Sequence, residues 1–169
     1  YVTNGVHISS ILARDWNELF NDKLGIEWHR YLCDTQTWQA VIEAIPDQQF
    51  WQIKQNVKSR MLDIIRRALT AQHTRHQISK THLDRILKFI DPNNPHMLTI
   101  GFARRFATYK RASLLLKDLE RLRMLLTDSS KPVVFIFAGK AHPADIPGQN
   151  LLKALYNLSG EPDFLGKLL

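Results

Sequence analysis

The hydrophobic positions of this chain follow two successive patterns. Up to about residue 90 they recur at helical spacing. Trp16, Leu19 and Phe20 mark a short helix that Asp15 can cap, and Trp38, Val41 and Ile42 mark a second, with Thr35 as its capping residue. Pro46 stops that helix, and Asp47 opens the most periodic stretch. There Phe50, Ile53, Val57, Met61, Ile64 and Ala68 step by three and four, an apolar stripe along one helical face for about six turns. Lys54, Lys58, Arg60, Arg66 and Arg67 occupy the other faces. Thr81 to Ile90 predicts a third helical piece, ended by Asp91-Pro92 because proline blocks continuation. Residues 1–12 read as a loop or strand end around the Asn4-Gly5 turn.

After Asn93-Asn94-Pro95 the pattern changes. Met97 to Ala103 predicts a buried strand. An amphipathic helix follows, with Ala112, Leu115, Leu116, Leu119, Leu122 and Leu126 on one face. Ser129-Ser130-Lys131 form a turn, Val133 to Phe137 a second apolar strand, and Leu151, Leu152, Ala154 and Leu155 a last helix. Strand, helix, strand, helix with continuous apolar strands predicts parallel α/β structure with a right-handed crossover. The chain thus divides into a mainly helical lead-in, 1–96, and a β-α-β-α part, 97–169. Two strands buried on both faces do not make a sheet alone. With a first residue of Tyr1 instead of methionine, the expectation is a fragment of a larger α/β protein.

Composition narrows the classes. Of 169 residues, 44% are hydrophobic and 23% charged, which excludes a disordered chain. Lys and Arg number 23 against 16 Asp and Glu, so the net charge of +7 favours an anionic partner. Cys33 is the single cysteine, which excludes an internal disulfide. His73 and His76 have i, i+3 spacing but no nearby Cys, Asp or Glu; they read as cations at a helix C-terminus, and no metal is expected. Trp28, Trp38, Trp51 and Tyr109 read as packing residues. No apolar run is long enough to span a membrane, so no membrane partner is expected.

In parallel sheets, ligands sit beyond the carboxyl ends of the strands. After the first strand comes Arg104-Arg105-Phe106-Ala107-Thr108-Tyr109-Lys110-Arg111, and after the second Gly139-Lys140-Ala141-His142. Adjacent strands would bring both basic groups to one edge, beside helix N-termini that also attract anions. Arginine offers a planar fork and lysine a point charge, so a multiply charged phosphate is the expected occupant. Neither GxGxxG nor GxxxxGK[ST] is present, which argues against dinucleotide and P-loop sites. The basic face from Lys54 to Arg67 leaves a nucleic-acid-binding domain as an alternative, although acidic residues interleave it and no docking motif is present; nucleic acid is not the expected partner.

The run Leu98-Thr-Ile-Gly-Phe-Ala-Arg-Arg-Phe-Ala-Thr-Tyr-Lys-Arg-Ala112, followed by Phe137-Ala-Gly-Lys-Ala-His-Pro-Ala-Asp145, resembles the α-glucan phosphorylases, and their bacterial branch in particular. Val2-Thr-Asn-Gly-Val-His7 with Trp16 is similar to that family's Thr-Asn-Gly segment, and the three matches fall in family order. The resemblance implies part of a Rossmann-like domain of a glycosyltransferase-B fold. It implies a cytoplasmic, homo-oligomeric parent enzyme that uses pyridoxal 5'-phosphate and inorganic phosphate to split terminal units from an α-1,4-glucan, releasing glucose 1-phosphate. A sugar-nucleotide-dependent glucan synthase of the same fold is the other alternative. By motif, Arg105 and Lys110 match the catalytic arginine and lysine that hold the substrate phosphate. Arg104 matches a cation near the cofactor phosphate, where animal-type enzymes have lysine. Asn4 matches the asparagine that hydrogen-bonds the glucosyl unit, and Lys140 and His142 are expected near the same cleft. The family's cofactor-anchoring lysine lies in a Gly-Thr-Gly-Asn-Met-Lys motif that this sequence lacks, as it lacks the upstream glucosyl-site histidine. The chain by itself is therefore expected to be inactive.

Overall fold

The helical spacing of the first ninety positions produces α1 (Ile8–Ile11), α2 (Arg14–Leu24), α3 (Thr35–Glu43), α4 (Asp47–Arg75) and α5 (Lys80–Leu87) in the computed structural model, which describes residues 5–94 and 96–169. The sequence reading placed a loop or strand end where α1 forms. It also misplaced three helix starts. Ala13 precedes α2, leaving Asp15 in its first turn. Asp34, one residue before Thr35, caps α3 by accepting from the amides of Gln36 and Thr37 and the Thr37 hydroxyl. A carboxylate there also favours the positive end of the helix, and these bonds hold Asp34 below the usual carboxylate range. Ser79 caps α5 through the His82 amide, so that helix begins and ends earlier than Thr81 to Ile90.

The chain forms two compact units, 1–61 and 62–169, with the boundary inside α4. In the first, aromatic rings supply the packing. Trp28, 1% exposed, meets Phe20 edge-on at 5.3 Å, and Phe20 meets Trp38 at 5.0 Å. Both indoles have partners, Trp28 donating to Asn17 and Trp38 to the Tyr31 carbonyl, as buried polar edges require. Trp51 departs from the expected packing; it is 54% exposed, with Lys54 over its ring. Arg60 grips Asp15 with both guanidinium nitrogens, at 2.6 and 3.1 Å, and this holds the Asp15 carboxyl below its ordinary value. A depressed pKa means the pairing stabilises the fold fully above the unfolded aspartate value and ceases as pH falls through the folded one. Arg60→Ala should therefore raise the Asp15 midpoint in an NMR titration, and its stability difference from the parent chain should vanish in acid. Identical Asp15 titrations in both proteins would disprove the pairing.

In the second unit the predicted stripe of α4 is not what is buried. Ile64 is 60% exposed, while Leu62 and His73 are enclosed, with Ile65, Arg66 and Leu69 partly covered between them. Positions 62, 65, 69 and 73 form a second row at helical spacing, and that row faces the protein. Arg66 donates to the carbonyls of Leu87 and Ile90 at the end of α5. His73 sits in the last turn of α4, its Nδ1 on the Leu69 carbonyl and its ring stacked on His82.

Strands β1 (Leu98–Ala103) and β2 (Val133–Ala138) pair in parallel, with Leu98 opposite Val133 and Ala103 opposite Ala138. The apolar runs predicted this pairing. They did not predict a third participant: Leu168 bridges to Phe135, and the Phe135 and Phe137 amides donate to the carbonyls of Lys167 and Leu169. β1 is also far less covered than a doubly buried strand, with Leu98 57% and Ile100 40% exposed. On one sheet face Phe106, Leu122, Leu126, Leu155 and Phe164 pack with Phe102, Phe135 and Phe137, and Val134, which strand alternation places on the other face, is fully buried too.

The amphipathic helix expected after β1 is broken. Thr108–Lys110 and Ala112–Leu116 are 3₁₀ turns, separated by Arg111 in the left-handed region at φ 59°, and only Leu119–Thr127 forms an α-helix, α6, capped by Asp118. Asp118 supplies the reason, since its side chain binds the Arg121 amide and starts a new helix in the middle of the leucine pattern. After β2, Asp145 caps α7 (Ile146–Ser159) through the Gly148 amide. Among the described residues no helix is long and apolar enough to cross a membrane.

Candidate functional site

Both basic motifs leave the carboxyl ends of the paired strands, immediately after Ala103 and Ala138. The backbone joins them. The Phe106 amide donates to the Lys140 carbonyl at 2.9 Å, so the Arg104–Arg105 segment runs beside the Gly139–Lys140 segment. Phe106 is 1% exposed, its ring 5.7 Å from Phe102 and 6.3 Å from Phe137. The Ala107 amide folds back to the Arg105 carbonyl at 3.0 Å, a tight reversal with Phe106 at its apex. An apolar anchor thus fixes the backbone from which two exposed arginines project.

One premise of the sequence reading is overturned. The arginines do not stand at an α-helix N-terminus, because the residues after them form 3₁₀ turns and α6 begins only at Leu119. No helix dipole explains or opposes these charges. They also lack acidic partners, as several other cations of the chain do. Among the described residues Arg14, Arg30, Arg60, Arg67 and Arg123 each have a carboxylate within 4.0 Å, whereas Arg104, Arg105 and Lys140 have none. Lys110 lies one turn further on, half-buried, with its ammonium 4.6 Å from the centre of the Tyr109 ring. Tyr109 is 65% exposed, so it forms a platform for Lys110 and not the packing element its sequence position suggested.

The loop from Gly139 to Asp145 is fixed by its own bonds. His142 Nδ1 accepts from the Ala144 amide at 3.1 Å, which places the proton of the neutral ring on Nε2, and the ring is exposed. The His142 carbonyl accepts from the Asp145 amide and, with that of Pro143, from the Gln149 side chain at 3.3 and 2.6 Å. The fold therefore brings Arg104, Arg105 and Lys140 to one strand edge, with His142 further along the same loop. Asn4 lies outside the described residues. Sequence reasoning missed Phe106, Gly148 and Gln149 as residues that shape the site. Asp145 and Gly148, three apart at a helix start, were the available signal.

Two cavities are distinct from this edge. One of about 460 Å³ lies among Asp63, Arg66, Asp84, Leu87, Lys88 and Asp91, and contains no motif residue. Another, of about 180 Å³, is apolar and lies over Ile100, Phe102, Phe135 and Phe137, with Arg111 at its margin. Among the described residues no group of three or more His, Cys, Asp or Glu could hold a metal ion.

The comparisons with known proteins give a consistent class. The chain is 38% identical to maltodextrin phosphorylase of Thermococcus litoralis over 168 residues, 99% of its own length. It is 35% identical to glycogen phosphorylase of Aquifex aeolicus over 99% of its length, and 34% identical to that of Mycobacterium bovis over 96%. No family model matches the chain, and no solved structure matches it. These relatives are enzymes of the glycosyltransferase class, and nothing favours a nucleic-acid-binding or sugar-nucleotide reading. The chain matches a fragment of an α-glucan phosphorylase, spanning about a fifth of the length of the curated relatives it matches.

Proposed function

We propose that this chain supplies the phosphate-binding edge of an α-glucan phosphorylase that splits terminal units from an α-1,4-glucan with inorganic phosphate, releasing glucose 1-phosphate. The observation that carries this reading is the Phe106–Lys140 backbone bond, which sets two basic loops side by side where, among the described residues, no carboxylate pairs with Arg104, Arg105 or Lys140. Two phosphates in contact repel one another, and uncompensated cations at that point offset the repulsion. In this reading Arg105 and Lys110 hold the substrate phosphate, Arg105 through its planar fork. Asn4 binds the glucosyl unit, and Lys140 and His142 border it, His142 as an Nε2–H donor.

The residues present fit one end of pyridoxal 5'-phosphate. Arg104, exposed and without an ion pair among the described residues, suits the cofactor phosphate. When bound, the cofactor supplies a phosphate group able to exchange a proton with the substrate phosphate. The family's lysine motif, which would meet its aldehyde, is not in this sequence. The helical lead-in 1–96 and the β-α-β-α part 97–169 would then belong to a Rossmann-like domain of glycosyltransferase-B type, in a cytoplasmic, homo-oligomeric enzyme. The 169-residue chain incubated with maltodextrin, phosphate and pyridoxal phosphate should release no glucose 1-phosphate above background. Release by the pure chain would refute this division of labour.

A further inference from the structure

Two glycines, one just after β2 and one in the first turn of α7, lie against the backbone from Arg104 to Phe106. A Cβ placed on Gly139 would collide with the Arg104 carbonyl oxygen, lie 3.0 Å from its carbon and 3.1 Å from Phe106 Cε2. A Cβ on Gly148, in the first turn of α7, would collide with the Phe106 carbonyl oxygen and lie 3.0 Å from Asp145 Oδ2. Neither glycine is needed for a left-handed backbone, as the only positive-φ glycines described are Gly25 and Gly166. What each provides is space for another backbone to come close. Between these contacts the Phe106 amide is bound to the Lys140 carbonyl, and Gln149 ties the loop between the two glycines to the helix. The backbone at Arg104 and Phe106 is thus held at three successive points: carbonyl against Gly139, amide on Lys140, carbonyl against Gly148.

We infer that Gly139 and Gly148, with Gln149, are positioning residues that set the direction in which Arg104 and Arg105 meet phosphate; this rests on the phosphate reading above. Neither glycine has a side chain to touch the anion, so each acts through the arginine backbone. A side-chain methyl at either place must displace a carbonyl next to an arginine. A guanidinium at the end of a long side chain amplifies a small backbone rotation, and binding that depends on two cations converging on one phosphate is sensitive to errors of about 1 Å. Gly101 offers a matched control. It lies in β1, two residues before Ala103, and a Cβ there would meet nothing within 4 Å.

The test titrates inorganic phosphate at constant ionic strength into the 169-residue chain and its variants, following the Nε–Hε signals of Arg104 and Arg105 by NMR, with thermal unfolding measured on the same samples. Gly139→Ala and Gly148→Ala should each weaken phosphate binding about tenfold or more and move the free-state signals of both arginines. Gly101→Ala should leave the affinity within about twofold. A general loss of stability would not separate these variants in that way when all remain folded at the temperature used. If Gly139→Ala does not fold, Gln149→Ala decides, because it releases the loop without adding an atom; affinity unchanged there overturns the inference. Wild-type affinity in both glycine variants overturns it too. Failure of the unaltered chain to bind phosphate would sink the phosphate reading itself, and the positioning role with it, a result distinct from binding that the glycine variants leave intact.

Discussion

Phe106→Ala is expected to lower the unfolding free energy by about 3–5 kcal/mol, the largest single effect of any side chain at the site. The ring is fully enclosed, and it packs on Phe102 and Phe137 over the sheet with the core of α6 and α7 behind it. Truncation would remove apolar contact from both strands and leave a cavity that the sheet cannot collapse to fill, since the backbone around it is tied by the Lys140 bond. Urea denaturation of the two chains provides the measurement. A loss below about 1 kcal/mol would mean that the ring is not the anchor described. Phe106→Leu, which keeps most of the volume, should recover more than half of the loss.

Arg105→Ala should reduce phosphate affinity by about 1.5–3 kcal/mol, or roughly 10–150-fold, with little change in folding stability. The side chain is exposed and makes no ion pair among the described residues, so its removal leaves no carboxylate stranded. Arg105→Lys should recover only part of the affinity, because an ammonium keeps the charge but not the planar fork. Arg121→Ala on α6 serves as the comparison, an exposed arginine outside both motifs. Isothermal titration with phosphate at fixed salt reads all three. An equal loss in Arg105→Ala and Arg121→Ala would reduce the effect to net charge, and the local site would not exist.

How much of this was written legibly in the sequence differs from element to element. Val133 to Phe137 is a continuous apolar run, and such a run has few alternatives to a buried strand; its pairing with residues 98–103 followed from the parallel pattern. The helix from Ala112 to Leu126 is expected because Ala112, Leu115, Leu116, Leu119, Leu122 and Leu126 lie at helical spacing, and it is interrupted because two local events override periodicity. Arg111 takes a left-handed backbone that is uncommon for a residue with a side chain, and Asp118 captures an amide that a continuous helix would have used. On α4, two apolar rows compete, and tertiary contact, which no window of sequence contains, selects the row through Leu62 over the one through Ile64. Arg104, Arg105 and Lys140 could be named from the motif, and the sheet does place them along one edge. The α-helix N-terminus expected beside the arginines is absent, because Arg111 and Asp118 break the helix that would have supplied it.

The pairing of β2 with residues on both sides bears on how the molecule assembles. Each partner of β2 lies about 35 residues away along the chain, and closing loops of that size costs conformational entropy before any pairing energy is returned. The aromatic cluster of the first unit links Trp16 to Phe20, Phe20 to Trp28 and Trp28 to Trp38, over much shorter separations. Local contacts of that kind form quickly, whereas distant parallel pairings form slowly. The edge that carries Arg104, Arg105 and Lys140 exists only when β1 and β2 are in register, so its formation is expected to lag behind the gathering of the rings in the helical half.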